Sequence, residues 1–136
     1  MSQETNKAAR RFTNIHIAQI MHYRLPAAGL VSILHRVSGA MMFLLLPFIL
    51  YLLDKSLTSE ISFNYLQFYV SHWSVKLAIL ALSWAYLHHL CGGLRHLVMD
   101  AHIGLSKEGA RNSARIVFAV SLPLTALVAL KLFGVF

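Results

Sequence analysis

The sequence predicts an all-α membrane protein of three transmembrane helices. Hydrophobic residues make up 57% of the 136 residues and charged residues only 12%, with a mean hydropathy of +0.62. Those apolar residues collect into three runs, each longer than the roughly 20 residues a helix needs to cross a bilayer. Basic residues flank the runs and set a direction. A typical soluble domain is about a quarter charged, and a 15.3 kDa chain leaves too much surface exposed to hide this much apolar side chain in a soluble core. The composition also excludes disorder, collagen and a disulfide-stapled secreted domain, since there is no repeat and the single cysteine, Cys91, lies inside an apolar run.

Residues 1–29 read as a cytoplasmic N-terminal segment. The first eleven hold no apolar stretch, so neither a cleaved signal peptide nor a transit sequence is expected, and a multi-pass protein of a bacterial inner membrane fits best. The transmembrane domain then occupies 30–136. Its first span, 30–53, has only His35 and Arg36 as strongly polar members. The second, 73–99, is broken by Lys76, by His88 and His89, and by Arg95 and His96. The third, 116–136, carries Lys131 as its only charge. In lipid the backbone must satisfy itself, so all three are helices, and Pro47 and Pro123 are tolerated inside them. Between the first two spans, 56–69 mixes Tyr65, Phe68 and Tyr69 with polar residues, the composition of an interfacial segment.

The formal charge is +7. Lys7, Arg10, Arg11 and Arg24 precede the first span, and Lys107, Arg111 and Arg115 lie between the second and third. The other connection sets Lys55 against Asp54 and Glu60. Cytoplasmic loops carry the Lys and Arg excess, so the N-terminus and the second connection are expected in the cytoplasm. Basic charge on a soluble domain would suggest nucleic acid; here it borders apolar runs, and the expected surroundings are membrane lipid, with no nucleic acid.

Ionisable residues inside spans are costly and usually functional. Ser32, His35 and Arg36 are three and four residues apart and share one helix face. Arg36 lies roughly 9 Å inside the first span, deep for an arginine that only snorkels. One reading sends Arg36 to the headgroups and bonds His35 to a neighbouring helix. The sharper one is a polar pocket offering donors to a carbonyl or carboxylate, for which a guanidinium fork is suited. In the second span His89 lies about 16 Å from the cytoplasmic end, near mid-membrane. Neutral imidazole is the commonest metal-binding side chain. Gly92 and Gly93 fall on its face and either leave a bare surface for a flat macrocycle or permit close helix packing, with His89 bonding across an interface. The residues alone leave these two readings level. His96 returns to the same face about 10 Å nearer the cytoplasm, beside the polar edge of a bound cofactor or simply at the membrane boundary. His88 points about 100° away and is the rival ligand. His16, His22, His72 and His102 read as interfacial or solvated, and Lys76 and Lys131 as snorkelling. No phosphate-binding loop, dinucleotide fingerprint, zinc cysteine pair or nucleophile elbow is present.

Ser32-x-x-His35-Arg36-x-Ser38-Gly39 resembles the first signature of the cytochrome b subunits of succinate dehydrogenase, and His89-x-x-x-Gly93-Leu94-Arg95-His96-Leu97-x-Met99-Asp100 resembles their second. The resemblance runs from about residue 20 onward, with three spans in the same order. Two positions depart from the pattern: Asn14-Ile15 stands where the family usually has Arg-Pro, and His102 where it has a small residue. The resemblance implies a four-subunit complex of the tricarboxylic acid cycle and aerobic respiratory chain. A flavoprotein subunit would oxidise succinate, an iron–sulfur subunit would carry the electrons, and this chain would bundle with a second membrane-anchor subunit. The two membrane subunits would share a haem b and reduce ubiquinone. By that resemblance His89 is the axial ligand of the haem iron, His35 and Arg36 approach its propionates, and Ser32 and Arg36 line the quinone site; His96 is the further candidate at the cofactor's polar edge, from its place on the His89 face. The chain would not oxidise succinate itself but would contribute to quinone reduction. The alternative is the cytochrome b subunit of another quinone-linked complex such as fumarate reductase.

Overall fold

The computed structural model describes residues 25–135, which form four helices with short connections: α1 (Ala27–Thr58), α2 (Glu60–Ser71), α3 (Trp73–Asp100) and α4 (Lys107–Leu132). There is no strand among the described residues. Helices α1, α3 and α4 are long and apolar enough to cross a membrane. Lys7, Arg10, Arg11, Asn14, Ile15, His16, His22 and Arg24 lie outside the described residues.

Local chemistry sets the helix ends. The Pro26 carbonyl accepts from the N–H groups of Gly29 and Leu30 at 2.9 and 3.1 Å, opening α1. At its far end Ser59 is extended, and its hydroxyl accepts from the Ser62 N–H at 3.1 Å while the Ser62 hydroxyl accepts from the Ser59 N–H at 3.2 Å. This reciprocal cap satisfies two of the orphan donors at the start of α2 and turns the chain in a single residue. Helix α2 falls largely in the segment expected to be interfacial, and its Phe63, Tyr65, Phe68 and Tyr69 are exposed. Ser106 caps α4, its hydroxyl accepting from the Gly109 N–H at 3.0 Å.

Two helices outrun their expected spans. Helix α4 starts at Lys107 rather than 116 and ends at Leu132, and α1 covers Ala27–Thr58 rather than 30–53. An apolar window detects only the part a bilayer would solvate; a Ser cap with Glu108 in the first turn starts α4 in polar sequence just as well. At 1.5 Å per residue α1 is about 48 Å long, against roughly 30 Å of hydrocarbon. Pro47 and Pro123 both sit within continuous helix.

Helix α3 packs against both α4 and α1, and α1 also touches α4. The pairings Arg95–Ser113 and His88–Phe118 show that α3 and α4 are antiparallel, as are α1 and α3, where His35 meets His96 and Ser38 meets His89. The shared core is small: Val31, Ala114 and Val117, with Ala27, Ala28, Cys91 and Phe118 against it. Arg95, a signature residue without an individual role in the sequence reading, is buried and pins the two helices. Its Nε donates to the Ser113 hydroxyl at 2.9 Å and its Nη2 to the Ala110 carbonyl at 3.4 Å. Lys76 lies with its ammonium 5.6 Å from the Phe133 ring centroid. Most large apolar side chains face outward, with Phe43 and Leu44 each 75% exposed; that surface suits lipid, not water.

Candidate functional site

The site is where α1 crosses α3. His35 projects from α1 and stacks on His89 of α3, with ring centroids 4.1 Å apart and an 8° angle between planes. On its other side His35 meets His96, at 5.0 Å and 55°. Three imidazoles thus form one column, with the α1 ring between the two α3 rings, which stand seven residues apart on one face.

Hydrogen bonds orient His89. Its Nδ1 lies 2.9 Å from the His35 carbonyl and 3.2 Å from the Ser38 hydroxyl, which itself donates to that carbonyl at 3.0 Å. A carbonyl only accepts, so Nδ1 carries the proton and Nε2 keeps its lone pair. Nε2 makes no hydrogen bond among the described residues and is not fully buried. A carbonyl holding one ring nitrogen is the usual way a metal-binding histidine is set in tautomer and angle.

Glycines make the crossing possible. A Cβ on Gly39 would lie 2.7 Å from His89 Cε1, so the imidazole rests against bare α1 backbone. Reciprocally, a Cβ on Gly92 would lie 3.0 Å from His35 Cδ2, and one on Gly93 would be 3.5 Å from His35 Nε2. The sequence left the Gly92–Gly93 surface to two readings, a flat ligand or close helix packing. The His35 ring covers it, and close helix packing with His89 bonded across the interface is the arrangement found.

His88, the rival ligand, faces the other way. It is 1% exposed, between the rings of Trp84 (5.5 Å) and Phe118 (5.4 Å), and neither nitrogen makes a well-formed hydrogen bond among the described residues. A ligand shared with another subunit cannot reach it without parting α3 from α4. Ser32 is half-buried and Arg36 exposed on the His35 side of α1, and neither makes a hydrogen bond or ion pair among the described residues. Ser38 and Gly39 were legible only as letters of a signature; that Ser38 stands three residues after His35, on the same face, was the available signal. Among the described residues no three His, Cys, Asp or Glu side chains gather around one point to hold an ion. His35 and His89 meet ring face to ring face, while His96 is tilted against His35.

The profile of the succinate dehydrogenase/fumarate reductase transmembrane subunit matches residues 13–128. The chain belongs to that family. Among its relatives, the succinate dehydrogenase cytochrome b556 subunit of Coxiella burnetii is 37% identical over 115 residues, covering 83% of this chain and 89% of that one. The corresponding subunit of Paracoccus denitrificans is 33% identical over 111 residues, with coverage of 82% and 85%. The succinate dehydrogenase cytochrome b560 subunit of Porphyra purpurea is 29% identical over 100 residues, covering 72% and 80%. As a transmembrane-subunit family member with three apolar helices, the chain is a multi-pass membrane protein. The two segments that carry the resemblance, 32–39 on α1 and 89–100 on α3, meet at the histidine column.

Proposed function

We propose that the chain is the haem b-binding membrane anchor of succinate dehydrogenase, conveying electrons from an iron–sulfur subunit to ubiquinone in the tricarboxylic acid cycle and aerobic respiration. The observation that carries the proposal is His89, its Nδ1 tied to a main-chain carbonyl and its Nε2 not fully buried. That donor set fits a haem iron: His89 would hold it from this chain, and a histidine of the partner membrane subunit would complete the site. When bound, the haem would supply reversible one-electron redox chemistry.

The chain's own residues supply orientation and field. The His35 carbonyl fixes the His89 ring. His35, Arg36 and His96 stand toward the cytoplasmic end of the crossing, where imidazole N–H groups and a guanidinium suit propionates. The Ser32 hydroxyl donates to a quinone oxygen, and Arg36 offsets the negative charge that oxygen gains on reduction. The N-terminus and the α3–α4 connection face the cytoplasm of a bacterium, by the Lys and Arg asymmetry. The flavoprotein and iron–sulfur subunits dock on that side. The family also includes fumarate reductase subunits; the relatives' names favour succinate dehydrogenase.

The test is the reduced-minus-oxidised spectrum of the intact complex. His89→Ala removes the low-spin b-type signal or converts it to high spin, while His88→Ala keeps it. A signal retained in His89→Ala and lost in His88→Ala refutes the assignment.

A further inference from the structure

We infer that Ser38 is a positioning residue for the His89 imidazole, holding the plane of the ring; this rests on His89 being the haem ligand. A serine hydroxyl that donates to its own helix, three or four residues back, is common, and Ser71 and Ser83 do only that, toward the carbonyls of Phe68 and Ile79. Ser38 does more. Its hydroxyl donates to the His35 carbonyl at 3.0 Å, and that same carbonyl takes the His89 Nδ1–H at 2.9 Å. Nδ1 is also 3.2 Å from the Ser38 oxygen. The Nδ1–H therefore points between two acceptors, one of which is anchored by donating to the other. A single N–H···O=C bond leaves the ring free to pivot about the line joining nitrogen and oxygen. A second acceptor beside that line removes the pivot.

The surroundings leave no substitute. Ser38 is 5% exposed, so water does not readily replace its hydroxyl. The next residue is Gly39, over which the ring edge lies, with Cε1 2.7 Å from where a Cβ would stand. Two successive residues of α1 thus set the ring by different means, Gly39 by the space it leaves and Ser38 by the bond it offers. The angle of an axial imidazole about the iron–nitrogen bond governs the g-values of a low-spin ferric haem, so the role has a readout independent of electron-transfer rate.

The experiment uses the intact complex carrying Ser38→Ala, Ser38→Thr or Ser38→Cys, with assembly checked by dye-coupled succinate oxidation. Readouts are the largest g-value of the ferric signal and the haem kept through repeated detergent washing. Ser38→Ala is expected to shift or broaden the signal and to weaken haem retention about 10-fold, the lower end for loss of an outer-shell partner of a metal ligand. Ser38→Thr keeps the hydroxyl and restores both, and Ser38→Cys falls between. An alanine variant with the parent's g-value and retention overturns the proposal. Where Ser38→Ala does not assemble, the Thr and Cys variants decide: identical signals in those two overturn it, and a shift in Cys alone supports it. A parent complex with no low-spin haem refutes the ligand assignment itself, and the Ser38 role falls with it.

Discussion

Adding one methyl group at Gly39 tests the crossing of α1 and α3 most sharply. In Gly39→Ala the new Cβ would stand 2.7 Å from His89 Cε1, 3.3 Å from Nδ1 and 3.7 Å from Nε2. Carbon–carbon contacts are comfortable at about 3.5–4.0 Å, so the ring must retreat by roughly 0.8 Å or more. It cannot do so freely, because Nδ1 is held at 2.9 Å by the His35 carbonyl of the same helix. Helix propensity alone favours alanine over glycine by about 0.8–1.0 kcal/mol, whereas overpacking costs about 1–3 kcal/mol. The apoprotein therefore changes by only about 0–2 kcal/mol. The large effect falls on the haem, since a displaced ligand with a strained outer bond loses roughly 10- to 100-fold in affinity. The other glycines grade the effect. Gly92→Ala meets His35 Cδ2 at 3.0 Å and is intermediate; Gly93→Ala meets the His35 ring only at 3.5 Å, and Gly29→Ala meets the Pro26 ring at 3.7 Å, so both leave the haem alone. Haem per complex from the difference spectrum is the assay. Parent haem content and an unchanged low-spin signal in Gly39→Ala, or an equal loss in all four variants, would refute the reasoning.

Arg36→Ala is expected to slow quinone reduction roughly ten- to a hundred-fold, the effect of a lost charge-assisted hydrogen bond of about 1.5–3 kcal/mol, while dye-coupled succinate oxidation survives. Arg36→Lys recovers part of the rate, because a point charge replaces a planar fork; parent rates in both variants would remove Arg36 from the quinone site. His88→Leu replaces two buried nitrogens that make no well-formed hydrogen bond among the described residues by a hydrocarbon, so the haem spectrum stays and thermal stability holds or rises by up to about 2 kcal/mol; a lost low-spin signal contradicts this. His102 is held at φ 63°, a left-handed conformation that glycine adopts more easily. His102→Gly is expected to stabilise the complex by roughly 0.5–1 kcal/mol, read as a higher unfolding temperature, and a lower one counts against it.

The class of fold was legible because lipid imposes a length and a polarity on each span, and Leu30, Trp73 and Ile116 mark where those conditions begin. The true start of α4 was not, since the Ser106 cap and the polar turns after it obey rules of helix ends, not of membranes. Within the site, depth and chemistry singled out His89, His35 and Arg36. What the sequence concealed was which way facing side chains divide the space between two helices. Gly92 and Gly93 announce a surface without saying what covers it, and the His35 ring comes from 57 and 58 residues earlier in the chain. The opposite fate of His88 was hidden for the same reason: a helical wheel separates it from His89 by about 100°, but only the position of Phe118 on α4 shows that this direction is sealed. His102 is the reverse case: its left-handed backbone, visible in the connection after α3, is one that a small residue such as glycine adopts more easily than histidine does.

The interlock at the α1–α3 crossing also constrains how the chain can change over generations. Gly39 is required only while an imidazole leans on it, and His89 finds its seat only while position 39 lacks a side chain. Neither can be altered first without loss, so the two are expected to persist or disappear as a pair. A lineage that dispensed with the histidine would be released at once to place alanine at position 39, gaining helix stability as it did so. The reverse path, recovering the histidine after that alanine had settled, would require two changes in the right order, and the first alone would weaken the helix. Abandoning the histidine is thus the easier direction of travel, and the missing methyl group at position 39 acts as a ratchet in the inheritance of the crossing.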